Sequence, residues 1–111
     1  MLDRSEFVNT EDQVKESLWQ AQWQTLNRLE SLRLKGEFGK HLLQRKNTGS
    51  YETVLEEKVP EKILISATRW PSFSALGFAA GETITLETEY YVAKVMVSPI
   101  GRIRQTEILK K

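Results

Sequence analysis

Between Thr10 and about Lys35, Val14, Leu18, Ala21, Thr25, Leu29 and Leu32 recur at intervals of three and four, and Ser17, Gln20, Gln24, Asn27 and Ser31 fall opposite them. The same stretch holds no glycine or proline and is rich in Leu, Gln, Glu, Lys and Arg, all good helix formers. It predicts one long amphipathic helix. Thr10 followed by Gln13 reads as a capping box. Glu11 and Asp12 place negative charge at the positive end of the helix dipole, and Gly36 supplies the stop. Trp19, Trp23 and Leu26 lie beside the stripe and widen the apolar arc beyond what one sheet requires. They cover the edge of the domain's own core, or they form a second surface for neighbouring helices.

After Gly39 the period falls to two, with β-branched runs punctuated by turn residues, the mark of antiparallel strands. About six are expected. His41 to Lys46 meets Tyr51 to Glu56 across Asn47-Thr48-Gly49-Ser50, a hairpin turn by composition. Lys62 to Arg69 alternates until Pro71 breaks it. Phe73 to Phe78 is short, Thr83 to Thr88 carries Ile84 and Leu86 on one face, and Tyr90 to Val97 turns at Ser98-Pro99-Ile100-Gly101 into Arg102 to Leu109. One long helix followed by consecutive strands is an α+β layout, read as a single domain over 1–111 with a helix to residue 36 and strands over 37–111. The expected core is Leu18, Leu29, Ile63, Ile65, Ile84, Leu86, Val95, Val97 and Ile103.

Composition narrows the function classes. With 111 residues, 40% of them hydrophobic, there is enough apolar surface for one core. A net charge of +1 offers no general attraction to nucleic acid or anionic lipid, so binding of that kind needs a local cluster. The absence of cysteine removes disulfides and thiolate metal sites. A lone histidine, His41, argues against a zinc site, and its basic surroundings from Lys40 to Lys46 make it a surface strand residue. No apolar run reaches membrane-span length, and the opening MLDRSEF has no signal-peptide pattern. Catalysis finds little support. Glu56-Glu57 and Glu87-x-Glu89 read as wet strand faces, the serines lack a Gly-x-Ser-x-Gly setting, and there is no phosphate-binding glycine loop. No enzyme, metal or cofactor is expected.

Four ordered stretches carry a family resemblance. Val59-Pro60-Glu61-Lys62-Ile63 leads by a proline into a strand, and Phe73 to Gly77 forms a phenylalanine-x-x-x-glycine segment. Gly81-Glu82-Thr83-Ile84-Thr85-Leu86 follows. Val95-Met96-Val97-Ser98 and Gly101-Arg102-Ile103-Arg104 close the chain. Together they resemble the GspH/FimT-like family of minor pilins and pseudopilins, over roughly Leu55 to Ile108, with the preceding helix similar in position and character. Such subunits begin with a basic leader, a prepilin peptidase site and an apolar helix that anchors them in the membrane. None of these is seen in the sequence. The resemblance therefore suits the part of such a subunit without the membrane half of its helix.

That resemblance implies a non-enzymatic part of a type IV pilus or type II secretion filament, anchored in the cytoplasmic membrane when full length, with this domain on the outer side. Its partners would be other pilins or pseudopilins, and Trp19, Trp23 and Leu26 candidates for the intersubunit face. In FimT-like members that serve natural transformation the terminal Gly-Arg-x-Arg is implicated in holding DNA. Here Arg102 and Arg104 would stand on one strand face with roots about 6 to 7 Å apart, near the spacing of phosphates along a strand, and Lys110 and Lys111 could extend the patch. The alternative is a charged strand edge that discourages sheet pairing.

Overall fold

The computed structural model describes residues 4–28, 30–74, 82–99 and 102–111. Helix α1, Arg4–Arg28, is followed by strands β1 (Leu32–Glu37), β2 (Lys40–Asn47), β3 (Ser50–Lys58), β4 (Leu64–Ala67) and β5 (Ser72–Phe73). Strands β6 (Glu82–Glu87), β7 (Tyr91–Val97), β8 (Ile103–Gln105) and β9 (Leu109–Lys110) complete the chain. The helix packs on two antiparallel sheets, an α+β fold. One sheet has the order β3-β2-β1-β5, and the other β4-β6-β7-β8 with β9 also paired to β7.

The helix begins earlier and ends earlier than its sequence pattern predicts. Thr10 is not a cap but sits inside the helix, buried, its hydroxyl donating to the Glu6 carbonyl one turn back at 3.0 Å. The element that extends the helix toward its start is Phe7, fully buried one turn before Glu11 and packed against the Tyr91 ring at 5.9 Å between centroids. Burying a ring of this size contributes on the order of 2 kcal/mol, more than a local cap can. At the other end, Leu32-Arg33-Leu34-Lys35 satisfies a two-residue period as well as a helical one. Pairing of Leu34 with Leu43 and Leu32 with Arg45 commits it to β1.

Gly36 therefore is not a helix stop but lies within β1, where the two sheets touch. A Cβ there would stand 2.7 Å from Ile65 Cγ2 and 2.8 Å from Trp70 Cη2. The close approach needs a residue with no side chain. Gly49, at φ 76°, makes the tight β2–β3 turn with Asn47 opposite Ser50.

The shared core holds Val14, Leu18 and Ala21 of the helix stripe, Leu32, Leu34 and Leu43 of the first sheet, Ile65, Ile84, Leu86, Val95 and Val97 of the second, and Ile63 just before β4. Ile103 packs against it while partly exposed. Leu29, the Gly77 end of the phenylalanine-x-x-x-glycine segment and Gly101 lie outside the described residues. Arg102 to Leu109, expected as one strand, divides into β8 and β9, which pair with opposite ends of β7.

Candidate functional site

Four places hold side chains of chemical interest. The first is inside. His41, expected at the surface, is buried: it stands on the helix-facing side of β2, opposite Gly36 and Glu57, and its Nε2 lies 3.1 Å from Ser17 Oγ. Ser17, expected on the wet side of the helix, is buried with it. The physical reason is pairwise: a serine can leave water when a ring nitrogen replaces the lost hydrogen bond. Burial pushes the His41 pKa from 6.5 down to about 4, so the ring is neutral and its Nδ1 has no partner. A buried neutral imidazole held by Ser17 has the chemistry of a brace between helix and sheet.

A second polar join ties the helix to the last strands. The Gln105 side-chain amide donates to Glu11 Oε1 at 2.8 Å and to Asp12 Oδ1 at 3.1 Å, and its carbonyl accepts from Lys15 Nζ at 3.0 Å. Burial raises the Glu11 pKa, an effect opposed by the hydrogen bond from Gln105.

On the outside of α1, Trp19, Trp23 and Leu26 recur at four and three residues and form one ridge. They are 52%, 59% and 57% exposed, too open to be the edge of this domain's own core. The Lys15 ammonium lies 4.8 Å from the centre of the Trp19 ring. Asn27 donates its side-chain amide to the Trp23 carbonyl at 2.8 Å. Neither sheet covers the ridge.

The arginines lie on the opposite side of the molecule's second sheet. Ile103 and Gln105 face inward beside Val97 and Val95, so Arg104, opposite Met96, faces out. Arg102 is likewise exposed, and its backbone is held by reciprocal bonds with Ser98: N–H to Oγ at 3.0 Å and Ser98 N–H to the Arg102 carbonyl at 2.9 Å. The two line a shallow groove of about 360 Å³ with Thr83, Met96, Ser98 and Pro99. Among the described residues neither has an ion pair, and Glu82, a carboxylate that also lines the groove, is paired with Arg69 at 3.6 Å.

Lys110 and Lys111 are not beside them. Lys110 is opposite Tyr91, five positions along β7 from Met96 and so about 17 Å away. Lys111 is ion-paired with Glu87. Lys94, exposed on the outward face between the two ends, was not singled out from the sequence. The alternation of Ala93, Val95 and Val97 with Lys94 and Met96 carried that signal. Among the described residues no three metal-ligating side chains come together, and no helix is long and apolar enough to cross a membrane.

Comparison with known proteins matches this architecture to a solved structure, the minor pseudopilin EpsH from the Type 2 Secretion System of Vibrio cholerae. The TM-score is 0.73 at 6% sequence identity, over 87% of this chain and 93% of that one. No protein-family model matches the chain, and no curated protein matches it by sequence. At that identity the shared property is the fold: a pilin-like α+β domain with one helix laid across antiparallel sheets.

Proposed function

We propose that this protein is a non-enzymatic minor pilin or pseudopilin, a subunit that assembles with other pilins or pseudopilins into a type II secretion or type IV pilus-like filament. The observation that carries the reading is the Trp19, Trp23 and Leu26 ridge, an apolar helix face left open in a fold shared with a minor pseudopilin. A monomer gains nothing from two half-exposed indoles on a helix already buried along its other side. A subunit packed among neighbouring helices does. In the full-length protein the domain would stand outside the cytoplasmic membrane, anchored through that membrane.

The test places a photo-crosslinking residue at Trp23 and, as a control, at exposed Thr68, in cells assembling the filament. Crosslinks to other pilin-type subunits from position 23 alone are expected. Equal crosslinking from both positions, or none from position 23, would overturn the reading.

The arginine pair supports a second reading, a DNA-binding minor pilin used in natural transformation. Two exposed guanidiniums with no ion pair among the described residues share one groove, and Lys94 adds positive charge on the same outward face. Labelled single- and double-stranded DNA titrated across a salt series would show affinity falling with a log–log slope of about two for two duplex phosphate contacts. That slope should vanish in Arg102→Gln/Arg104→Gln. Absence of binding at low salt would leave the arginines as a solvated strand edge.

A further inference from the structure

The first sheet holds a second, independent cluster of positive charge on the face turned away from the helix. Arg33 on β1 stands opposite Gln44 on β2 and Ser72 on β5, while Lys46 stands opposite Tyr51 on β3. Alternation along the strands puts these side chains on one face.

Arg33 is half-buried and held from two sides. Its guanidinium lies 3.4 Å from the centre of the Tyr51 ring, and its Nε donates to Gln44 Oε1 at 2.8 Å. Gln44 is fixed in turn, donating from Nε2 to Thr53 Oγ1 at 3.4 Å. Every one of these partners is neutral. Glu30 and Glu52 are both paired with Arg45, which points to the other face of β2. Arg33 and Lys46 make no ion pair among the described residues.

A guanidinium drawn partly out of water, locked in place and given no counter-charge is an expensive way to cover a sheet. It is an economical way to hold an anion, because the donors are oriented before the ligand arrives. The depression beside it holds about 160 Å³ and is lined by Arg33, Lys46, Tyr51, Ser31, Ser72 and Ser74. Two cations and three serines around a volume of that size match a small oxyanion group with a few waters.

We propose that this depression is a binding site for a small oxyanion group, a phosphate, sulfate or carboxylate, gripped by Arg33 and Lys46 and oriented by the serine hydroxyls. The group arrives either as a free ion or as the headgroup of an anionic lipid. The site is separate from the arginine groove and does not depend on the filament reading.

The experiment titrates inorganic phosphate into the isotope-labelled protein in a zwitterionic buffer and follows the Arg33 Nε–H and the Lys46 and Ser72 backbone amides by NMR. Saturable shifts confined to this face are expected, with a Kd of about 1 mM that weakens about tenfold in Lys46→Gln and more in Arg33→Gln. Lys46 is exposed, so its variant folds even if Arg33→Gln does not. Arg102→Gln/Arg104→Gln serves as a control and should leave the shifts unchanged. Vesicles of phosphatidylglycerol against phosphatidylcholine then separate the sources. Phosphatidylglycerol binding lost in Lys46→Gln identifies a lipid headgroup, and phosphate binding without vesicle binding identifies a free ion. Shifts that do not saturate, or that persist in Lys46→Gln and Arg33→Gln alike, would overturn the proposal.

Discussion

Acidification should weaken this fold through His41. In the unfolded chain His41 titrates near its ordinary value of 6.5, and burial beside Ser17 lowers it to about 4 in the fold. Its folded pKa is depressed, so below about pH 6.5 the unfolded state binds a proton that the folded state refuses. Stability is fully present above that value and is lost as the pH falls toward 4. The difference corresponds to about 3 kcal/mol across the whole window, a large part of the stability of a domain this size. Glu11 works in the opposite direction. Its pKa is raised by burial, so the fold takes up its proton first and gains stability as the pH falls through that value. The two are separated by comparing the wild type with His41→Gln, which keeps Glu11. Urea unfolding followed by tryptophan fluorescence between about pH 7.5 and about pH 4.5 should show wild-type stability falling by roughly 2 to 3 kcal/mol more than that of the variant. Parallel pH profiles for the two proteins would refute the reasoning, because they would mean that His41 is charged, or accessible, in the folded state.

Four further outcomes follow from the packing. Gly36→Ala places a methyl within 3 Å of Ile65 and Trp70 at the sheet junction and should cost about 1 to 3 kcal/mol, read as a lower urea midpoint with an unchanged m value. Phe7→Ala empties a fully buried site and should cost about 3 to 5 kcal/mol, with a correspondingly lower Tm. Trp19→Ser/Leu26→Ser should change stability by no more than about 0.5 kcal/mol per site while abolishing the crosslinks formed from position 23, since both side chains are half in water already. Gln105→Ala removes the link between β8 and residues Glu11, Asp12 and Lys15, and should raise amide hydrogen exchange in β8 with little change elsewhere.

Much of this fold was legible as pattern. The two-residue alternation in Ile84 and Leu86, in Val95 and Val97, and in Ile63 and Ile65 identified core-facing positions correctly, because a strand with one buried face leaves little freedom in which residues turn inward. The stripe of Val14, Leu18 and Ala21 did the same for the helix, and the breadth of its apolar arc already marked Trp19, Trp23 and Leu26 as surplus to one sheet. Where local signals competed, sequence alone chose wrongly. Leu32-Arg33-Leu34-Lys35 fits either period, and only the presence of β2 at pairing distance makes it a strand. Thr10 carries the letters of a cap, yet the burial of Phe7 draws the helix past it.

What the tertiary structure decided were the pairings between residues distant in sequence. Ser17 and His41 are each polar residues with an ordinary place at the surface, and they are buried because each satisfies the other. Arg33, Tyr51 and Gln44 lie on three strands, and no spacing along the chain says that they meet. Arg102 and Lys110 are close in sequence but are carried to opposite ends of β7. Periodicity is a property of single elements and survives in the sequence, whereas the hydrogen-bond partners, charge neighbours and close backbone contacts that make a site depend on how those elements are brought together.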